Sequence, residues 1–319
     1  MATKSKILFR ITVWIFNSAL FILISLLFYT TIPIKTTPTL LVPEGSVKTI
    51  ITHLAKRGYA LSQIDAYIVA LLGKPQYGWI SIGQTEINRI DFLHKLATSK
   101  AQMAEITLIP GETTTLFLRK LASELSLDLN KLQLYTDRYA EFEEAGFYAD
   151  TYHVPMGIQE KHLILFLTSQ SNKKYEALSI KIYGNYDKQR WNRLLSIASI
   201  IQKEAANSEE MPMVASVIYN RLKQNMPLQM DGTLNYGENS HTAITPEIIR
   251  QDNSKFNTYK NRGLPPSPVC SVSVDAIKAA IRPAQTNYLY FVKNAQGTHN
   301  FSETFEEHKS NIQSANPSK

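Results

Sequence analysis

LVPEGSVKTIITHLAK, residues 41–56, has a second copy further along the chain, and the two together decide the fold class. Leu41-Val42-Pro43-Glu44-Gly45-Ser46, followed by Ile50, Ile51, Leu54 and Ala55, matches Leu108-Ile109-Pro110-Gly111-Glu112-Thr113, followed by Phe117, Leu118, Leu121 and Ala122. The offset is a constant 67 residues. Each copy reads as a short strand, a Pro/Gly turn, a Ser or Thr N-cap whose hydroxyl accepts from a freed amide, and an amphipathic helix. Two copies indicate two small α/β units, and so an α+β fold.

Working outward, Gly73–Thr85 is rich in glycine and aromatics, with Trp79-Ile80-Ser81-Ile82-Gly83 as a strand. Beyond the second copy, Gly146–Pro155 is followed by a helix expected over Gln159–Ser169 and a polar break at Ser171-Asn172-Lys173-Lys174. From Lys188 the spacing turns helical to Ala206, breaks at Asn207-Ser208 and resumes over Met213–Gln224. The chain is then loop-rich to about Ser271. A short helix is expected over Val274–Ala280, then a strand at Tyr288–Val292 turned by Asn294–Gly297 toward His299-Asn300-Phe301. A closing helix is expected to begin near Ser302 with Glu303, Glu306 and Glu307 in its first turns.

The formal charge of +7 belongs largely to the N-terminal end. Lys4, Lys6, Arg10 and Lys35 precede the first acidic residue, Glu44, leaving +3 (7 minus 4) for the rest. No basic patch is interleaved with aromatics, so nucleic acid is not an expected partner. From Ile11 to Ile34 there is no charge. A helix of that length reaches about 36 Å, enough to cross a bilayer core of about 30 Å with tilt. The segment lacks a small-x-small cleavage pattern, so an uncleaved anchor is expected rather than a signal peptide. The positive residues before it put residues 1–10 in the cytoplasm and the chain after residue 34 outside, with 33–40 as an extended tether.

The seven histidines form no HExxH or HxxxH pattern, and the single cysteine, Cys270, excludes a CxxC, so neither a metal nor another cofactor is expected. There is no GxSxG, and the one SxxK, at Ser171–Lys174, falls in a stretch read as exposed. Cys270 and His299 carry no local nucleophile signature. The remaining candidate is Glu204, in SIASIIQKEA at 196–205. With Ile197 at zero on a wheel of about 100° per residue, Ile201 falls at about 40°, Ile200 at about 300° and Glu204 at about 340°. A carboxylate in an apolar arc either finds a donor or keeps its proton, as a general acid must. The loops that follow, LQMDGTLNYG at 228–237, Asn257-Thr258-Tyr259 and Gly263-Leu264-Pro265-Pro266, concentrate amides, hydroxyls and rings. These suit a carbohydrate, with its apolar face and hydroxyl edge.

The order KEA (203–205), ASVIYNRL (215–222), LQMDGTLNYG, NTYKNRGLPPSP and YLYFVKNAQGTHNFSETFEEH resembles the MltG (YceG-like) family of endolytic murein transglycosylases, over essentially the whole chain. The resemblance implies a transmembrane anchor at 11–34, a LysM-like α/β subdomain at 35–105 and a larger mixed α/β catalytic lobe at 106–319. It implies Glu204 as the catalytic residue. Gln229, Asp231, Thr233, Asn257, Thr258 and Tyr259 are implied as substrate-binding, with Asp231 serving either Glu204 or its own loop, and Tyr236, an aromatic of the same loop, is expected to bind substrate with them. The reaction implied is cleavage of the MurNAc–GlcNAc bond of peptidoglycan glycan strands to leave 1,6-anhydro ends at the cell inner membrane. A membrane peptidoglycan synthase, a penicillin-binding protein, is the implied partner. Departures from the family pattern, Gly232 for a proline, Ser267 for a glycine, Phe147-Tyr148-Ala149 before the Asp-Thr-Tyr triplet and Cys270–Ser273 in place of a turn, bear on local loop shape. A non-catalytic, membrane-tethered peptidoglycan-binding module is the alternative.

Overall fold

A computed structural model describes residues 2–315, a mixed α/β structure. Met1 and residues 316–319, the outermost residues of the expected cytoplasmic N-terminus and of the expected catalytic lobe, lie outside the described residues. The chain forms two compact units: one runs up to Ala104 and includes His153–Ile158, and the other comprises Glu105–Tyr152 and the chain from Gln159 onward.

The first unit begins with helix α1 (Ala2–Thr31), whose stretch Phe9–Thr31 is long and apolar enough to cross a membrane. A signal sequence meets the same criterion. Then come β1 (Pro33–Lys35), β2 (Thr39–Val42), α2 (Val47–Lys56), α3 (Gln63–Leu72), β3 (Gly78–Ser81), β4 (Glu86–Asn88) and α4 (Arg89–Thr98). The strands pair antiparallel, β1 with β4 and β2 with β3. The expected tether is therefore partly a strand, and the apolar run ends in two environments. The helix stops at Thr31, while Ile34 is fully buried in the core with Leu40, Leu54, Ile80, Phe92 and Leu96. Ile34 is thus a core residue rather than the end of the expected anchor. The hydroxyl of Ser46 accepts from Thr49 N (3.2 Å) at the start of α2, the N-cap expected for the first copy of the repeat.

Beneath α1 lies a buried ion pair, Arg89 Nη1 to Asp65 Oδ2 at 2.8 Å. Asp65 also accepts from Ser62 N (2.6 Å), which closes a capping box on α3, and from Tyr29 Oη (3.0 Å) of α1. The Arg89 guanidinium lies 4.2 Å from the Tyr29 ring centre.

The division between units falls inside β5 (Met103–Thr107) and β6 (Thr151–Pro155). The second unit then contains α5 (Thr114–Leu125), α6 (Leu129–Tyr139), α7 (Glu160–Tyr183), α8 (Lys188–Glu204), α9 (Met211–Lys223), α10 (Pro246–Gln251), α11 (Val274–Ile281), the antiparallel hairpin β7 (Tyr290–Lys293) and β8 (His299–Ser302), and α12 (Phe305–Ala315). Thr113, the cap of the second copy, accepts from Leu116 N (3.5 Å).

Helix α8 is the centre of this unit, with every residue from Leu194 to Ile201 buried. Its apolar side chains pack with Val214, Val217 and Ile218 of α9 and with Ala276, Ile277 and Ala280 of α11. Its serines are satisfied internally: Ser196 Oγ donates to Asn192 O, and Ser199 Oγ donates to Ser196 O while accepting from Val269 N.

Two expectations are corrected here. Helix α7 runs unbroken through Ser171–Lys174. Ser171 is fully buried, donates to Leu167 O (2.7 Å) and accepts from Tyr148 N (2.9 Å), and Lys174 is paired with Asp150. Tertiary partners thus hold the polar stretch helical. Helix α12 starts at Phe305, because Glu307 Oε2 accepts from Thr304 N and Glu303 N while Thr304 Oγ1 accepts from Glu307 N. Glu303 lies ahead of the helix.

Removing one member of a buried ion pair leaves the other charge uncompensated, at a cost of about 3–5 kcal/mol. Asp65→Ala is expected to destabilise the full chain by that order in denaturant unfolding. A loss below about 1 kcal/mol would mean that the pair behaves as a solvated one.

Candidate active site

Glu204 is the last residue of α8. Ala205 leaves the helix in an extended conformation, and Asn207 Oδ1 then accepts from Glu209 N and Glu210 N to start α9. The half-buried Glu204 side chain lines a cavity of about 370 Å³, together with Arg221, Gln229, Asp231, Tyr259 and Tyr290. Its Oε1 accepts from Gly232 N at 2.7 Å.

The Glu204 pKa is raised to about 7. Burial is the main cause and the Asp231 carboxylate adds to it, while the Gly232 amide and the Arg221 cation work against it. At neutral pH both forms of the carboxyl are accessible at one place.

The loop after α9 is built around this contact. Gly232 packs on the end of α8 so closely that a Cβ there would meet Lys203 Cβ at 2.5 Å and Glu204 Oε1 at 2.9 Å. Thr233 Oγ1 donates to Met230 O (2.7 Å) and lies 2.9 Å from Thr258 Oγ1, which accepts from Met230 N (3.2 Å). Gln229 donates its backbone N–H to Thr258 O and sits at φ 53, an uncommon left-handed conformation for its residue type.

The expected site residues fall into three groups. Gln229, Asp231 and Tyr259 share the cavity with Glu204, and Tyr259 Oη donates to Asp231 Oδ1 at 2.7 Å. Burial, that hydrogen bond and the negative charges of Asp231 and Glu204 push the tyrosine pKa up, so it stays a donor. Thr233, Asn257 and Thr258 are buried and bind the loops to each other, Asn257 Nδ2 donating to Ile249 O (2.8 Å) and Asp252 O (2.9 Å). Tyr236 stacks on Phe256, with ring centres 4.5 Å apart, and donates to Asp252 Oδ2.

Further contributors lie outside the expected site residues. Arg221 is buried and donates to Leu289 O (2.6 Å), Pro227 O (3.2 Å) and Leu228 O (2.7 Å), so it fastens the loop and the hairpin while its charge faces Glu204. Its position within an apolar helix face was the available signal. Gly232 is the second. Tyr290 and His308, from β7 and α12, complete the cavity wall. Lys203, beside the acid, points to a different loop and donates to Ser240 O and Oγ.

The other carboxylates near the helix break are used elsewhere: Glu209 is exposed, and buried Glu210 accepts from His299 N (2.7 Å) and pairs with its Nδ1 (2.8 Å). Cys270 is buried against Ser199 O, with burial raising its thiol to about 12. A larger cavity of about 760 Å³, lined by Leu178, Ile182, Pro212 and Ile277 together with Lys181, Glu209, Asp275 and Arg282, shares no residue with that of Glu204. Among the described residues, no three His, Cys, Asp or Glu side chains group to hold a metal ion.

The sequence model of the YceG-like family matches residues 40–314. The endolytic murein transglycosylase of Bacillus subtilis is 36% identical over 146 residues, 46% of this chain and 40% of that protein. That of Streptococcus pneumoniae serotype 2 is 39% identical over 127 residues, 38% of this chain and 23% of that protein. The matched stretch thus spans less than half of either relative. The crystal structure of a YceG-like protein from Listeria monocytogenes superposes with a TM-score of 0.56 at 24% identity, covering 86% of this chain and 99% of that one, a likeness of fold.

Two stability measurements follow from the geometry. Gly232→Ala forces the loop off the helix end and is expected to cost roughly 1–3 kcal/mol, the usual range for overpacking. Folded Glu204 holds its proton up to about pH 7, whereas the unfolded chain releases it near the ordinary value of 4.5. Between those values the native state binds more protons, so this group's contribution to stability falls as pH rises. Glu204→Gln is therefore expected to be more stable than wild type above pH 7, with the difference vanishing below 4.5. A pH-independent difference would contradict the shift.

Proposed function

Because the chain belongs to the YceG-like family, we propose that it is a membrane-anchored endolytic murein transglycosylase. The observation that carries this reading is Glu204, a carboxyl whose pKa is raised to about 7 in a cavity lined by hydroxyl, amide and aromatic groups. The names of the two curated relatives support it.

Protonated Glu204 donates to the glycosidic oxygen between MurNAc and GlcNAc as the bond to C1 breaks. The resulting carboxylate, met by the Gly232 amide and the Arg221 charge, accepts the proton of the MurNAc C6 hydroxyl as its oxygen bonds to C1. One proton leaves and one returns, no water is consumed, and the product end is 1,6-anhydro-MurNAc. Gln229, Asp231 and Tyr259 orient the sugar, which converts a diffusing nucleophile into an internal one. Thr233, Asn257, Thr258 and Tyr236 act on substrate through the loop shape they maintain.

Asp231 gives a second reading its foothold, since a second carboxylate in the same cavity is what a hydrolase uses to activate water. Reducing-end products would assign it that role.

Helix α1 is read as an uncleaved anchor in the cell inner membrane, with the N-terminus cytoplasmic and the rest outside. The bonds from Tyr29 to Asp65 and from Arg89 to Tyr29 support retention, because cleavage after the helix would strip a partner from a buried ion pair. The first unit, beyond the anchor, is proposed to be LysM-like and to hold glycan, and the second to be the catalytic lobe. Anchoring favours new strands as substrate and a penicillin-binding protein as neighbour. Failure to recover one by pull-down from crosslinked cells would count against that partner.

The test is mass spectrometry of uncrosslinked nascent strands digested by the full chain in detergent. Wild type is expected to leave anhydro ends, and Glu204→Gln to lose about 10²–10⁴-fold in rate. Since the acid must be protonated, wild-type kcat/KM is expected to fall as pH rises through about 7. Intact strands with both proteins would favour a binding module without catalysis.

A further inference from the structure

One wall of the Glu204 cavity is made by Tyr290 of β7 with Phe305 and His308 of α12, and the chemistry above uses none of them. The Tyr290 ring lies 5.2 Å from that of His308, nearly parallel at 23°, and 5.8 Å from that of Phe305. The Arg221 guanidinium is 5.2 Å from the Tyr290 ring centre. The wall is held from behind by Arg221 on Leu289 O and by Glu210 on His299.

Phe305 opens the helix with its ring centre 5.8 Å from that of Tyr290 and 5.3 Å from Lys309 Nζ, yet it remains 55% exposed, so part of the ring is open to a ligand. His308 has its Nδ1 buried with no partner among the described residues, which leaves Nε2 as the ring's other polar atom. Burial and the Arg221 charge lower the His308 pKa, which keeps the imidazole neutral. A neutral ring nitrogen suits a hydroxyl, which both donates and accepts, better than it suits a carboxylate.

We propose that Tyr290, Phe305 and His308 form a pyranose-binding subsite of the glycan, the rings receiving the apolar face of a sugar and His308 exchanging a hydrogen bond with one of its hydroxyls. The sugar identity rests on the murein reading above. The subsite positions the strand and takes no part in bond cleavage.

The test is equilibrium binding of uncrosslinked GlcNAc–MurNAc strands to the full chain carrying Glu204→Gln, with and without Phe305→Ala or His308→Ala. Cleavage kinetics are measured on the same wall variants with Glu204 intact. Each alanine is expected to weaken Kd and raise KM about five- to tenfold with kcat within about twofold, and Phe305→Tyr to restore both. Phe305 is exposed, so its replacement leaves the core intact. An unchanged Kd in Phe305→Ala, or a loss confined to kcat, would overturn the subsite. Strands bound through this wall but left intact by wild type would remove the murein reading and keep the subsite; strands neither bound nor cleaved would remove both.

Discussion

A carboxyl at the end of a helix whose residues 194–201 are all buried must either be given a donor or keep its proton, and much of the second unit is organised around that demand. Glu204 receives the Gly232 amide at 2.7 Å, which requires the loop at 228–234 to lie against the last turn of α8. No side chain fits at position 232, because a Cβ would fall on Lys203 and on the carboxyl itself. The buried Thr233 and Thr258 hydroxyls then lock the loop.

The electrostatics of the cavity are a balance rather than a single strong effect. Burial and Asp231 favour the protonated carboxyl, and Gly232 and Arg221 favour the anion, with the outcome at about 7. A group so poised can give a proton and take one back at the same pH. The supports around it are peripheral but specific. Lys203 holds the loop at Ser240, Gln202 Oε1 accepts from Ser273 N, and Asn207 turns the chain into α9.

Much of this was legible in the sequence where local pattern carries the information. The helical wheel grouped Glu204 with Ile197, Ile200 and Ile201, all of which are buried, and the repeat marked the caps at Ser46 and Thr113. Where the reading went astray, long-range contacts had decided. Ser171–Lys174 is polar but helical because Tyr148 and Asp150 partner it, and Ile34 leaves the apolar run for a strand paired with β4. The Gly232 contact lies 28 residues from Glu204, and the aromatic wall comes from a hairpin and helix further on, so no local spacing announces either.

The protonation state of Glu204 is the centre of the account, and it is directly observable. Side-chain carboxyl ¹³C NMR of the full chain in micelles, with the Glu204 resonance assigned by its loss in Glu204→Gln, gives the titration midpoint. The account predicts a midpoint near 7, moving down when Asp231 is replaced by Asn and up when Arg221 is replaced by Gln. A midpoint at the ordinary 4.5, unmoved by either neighbour, would contradict it.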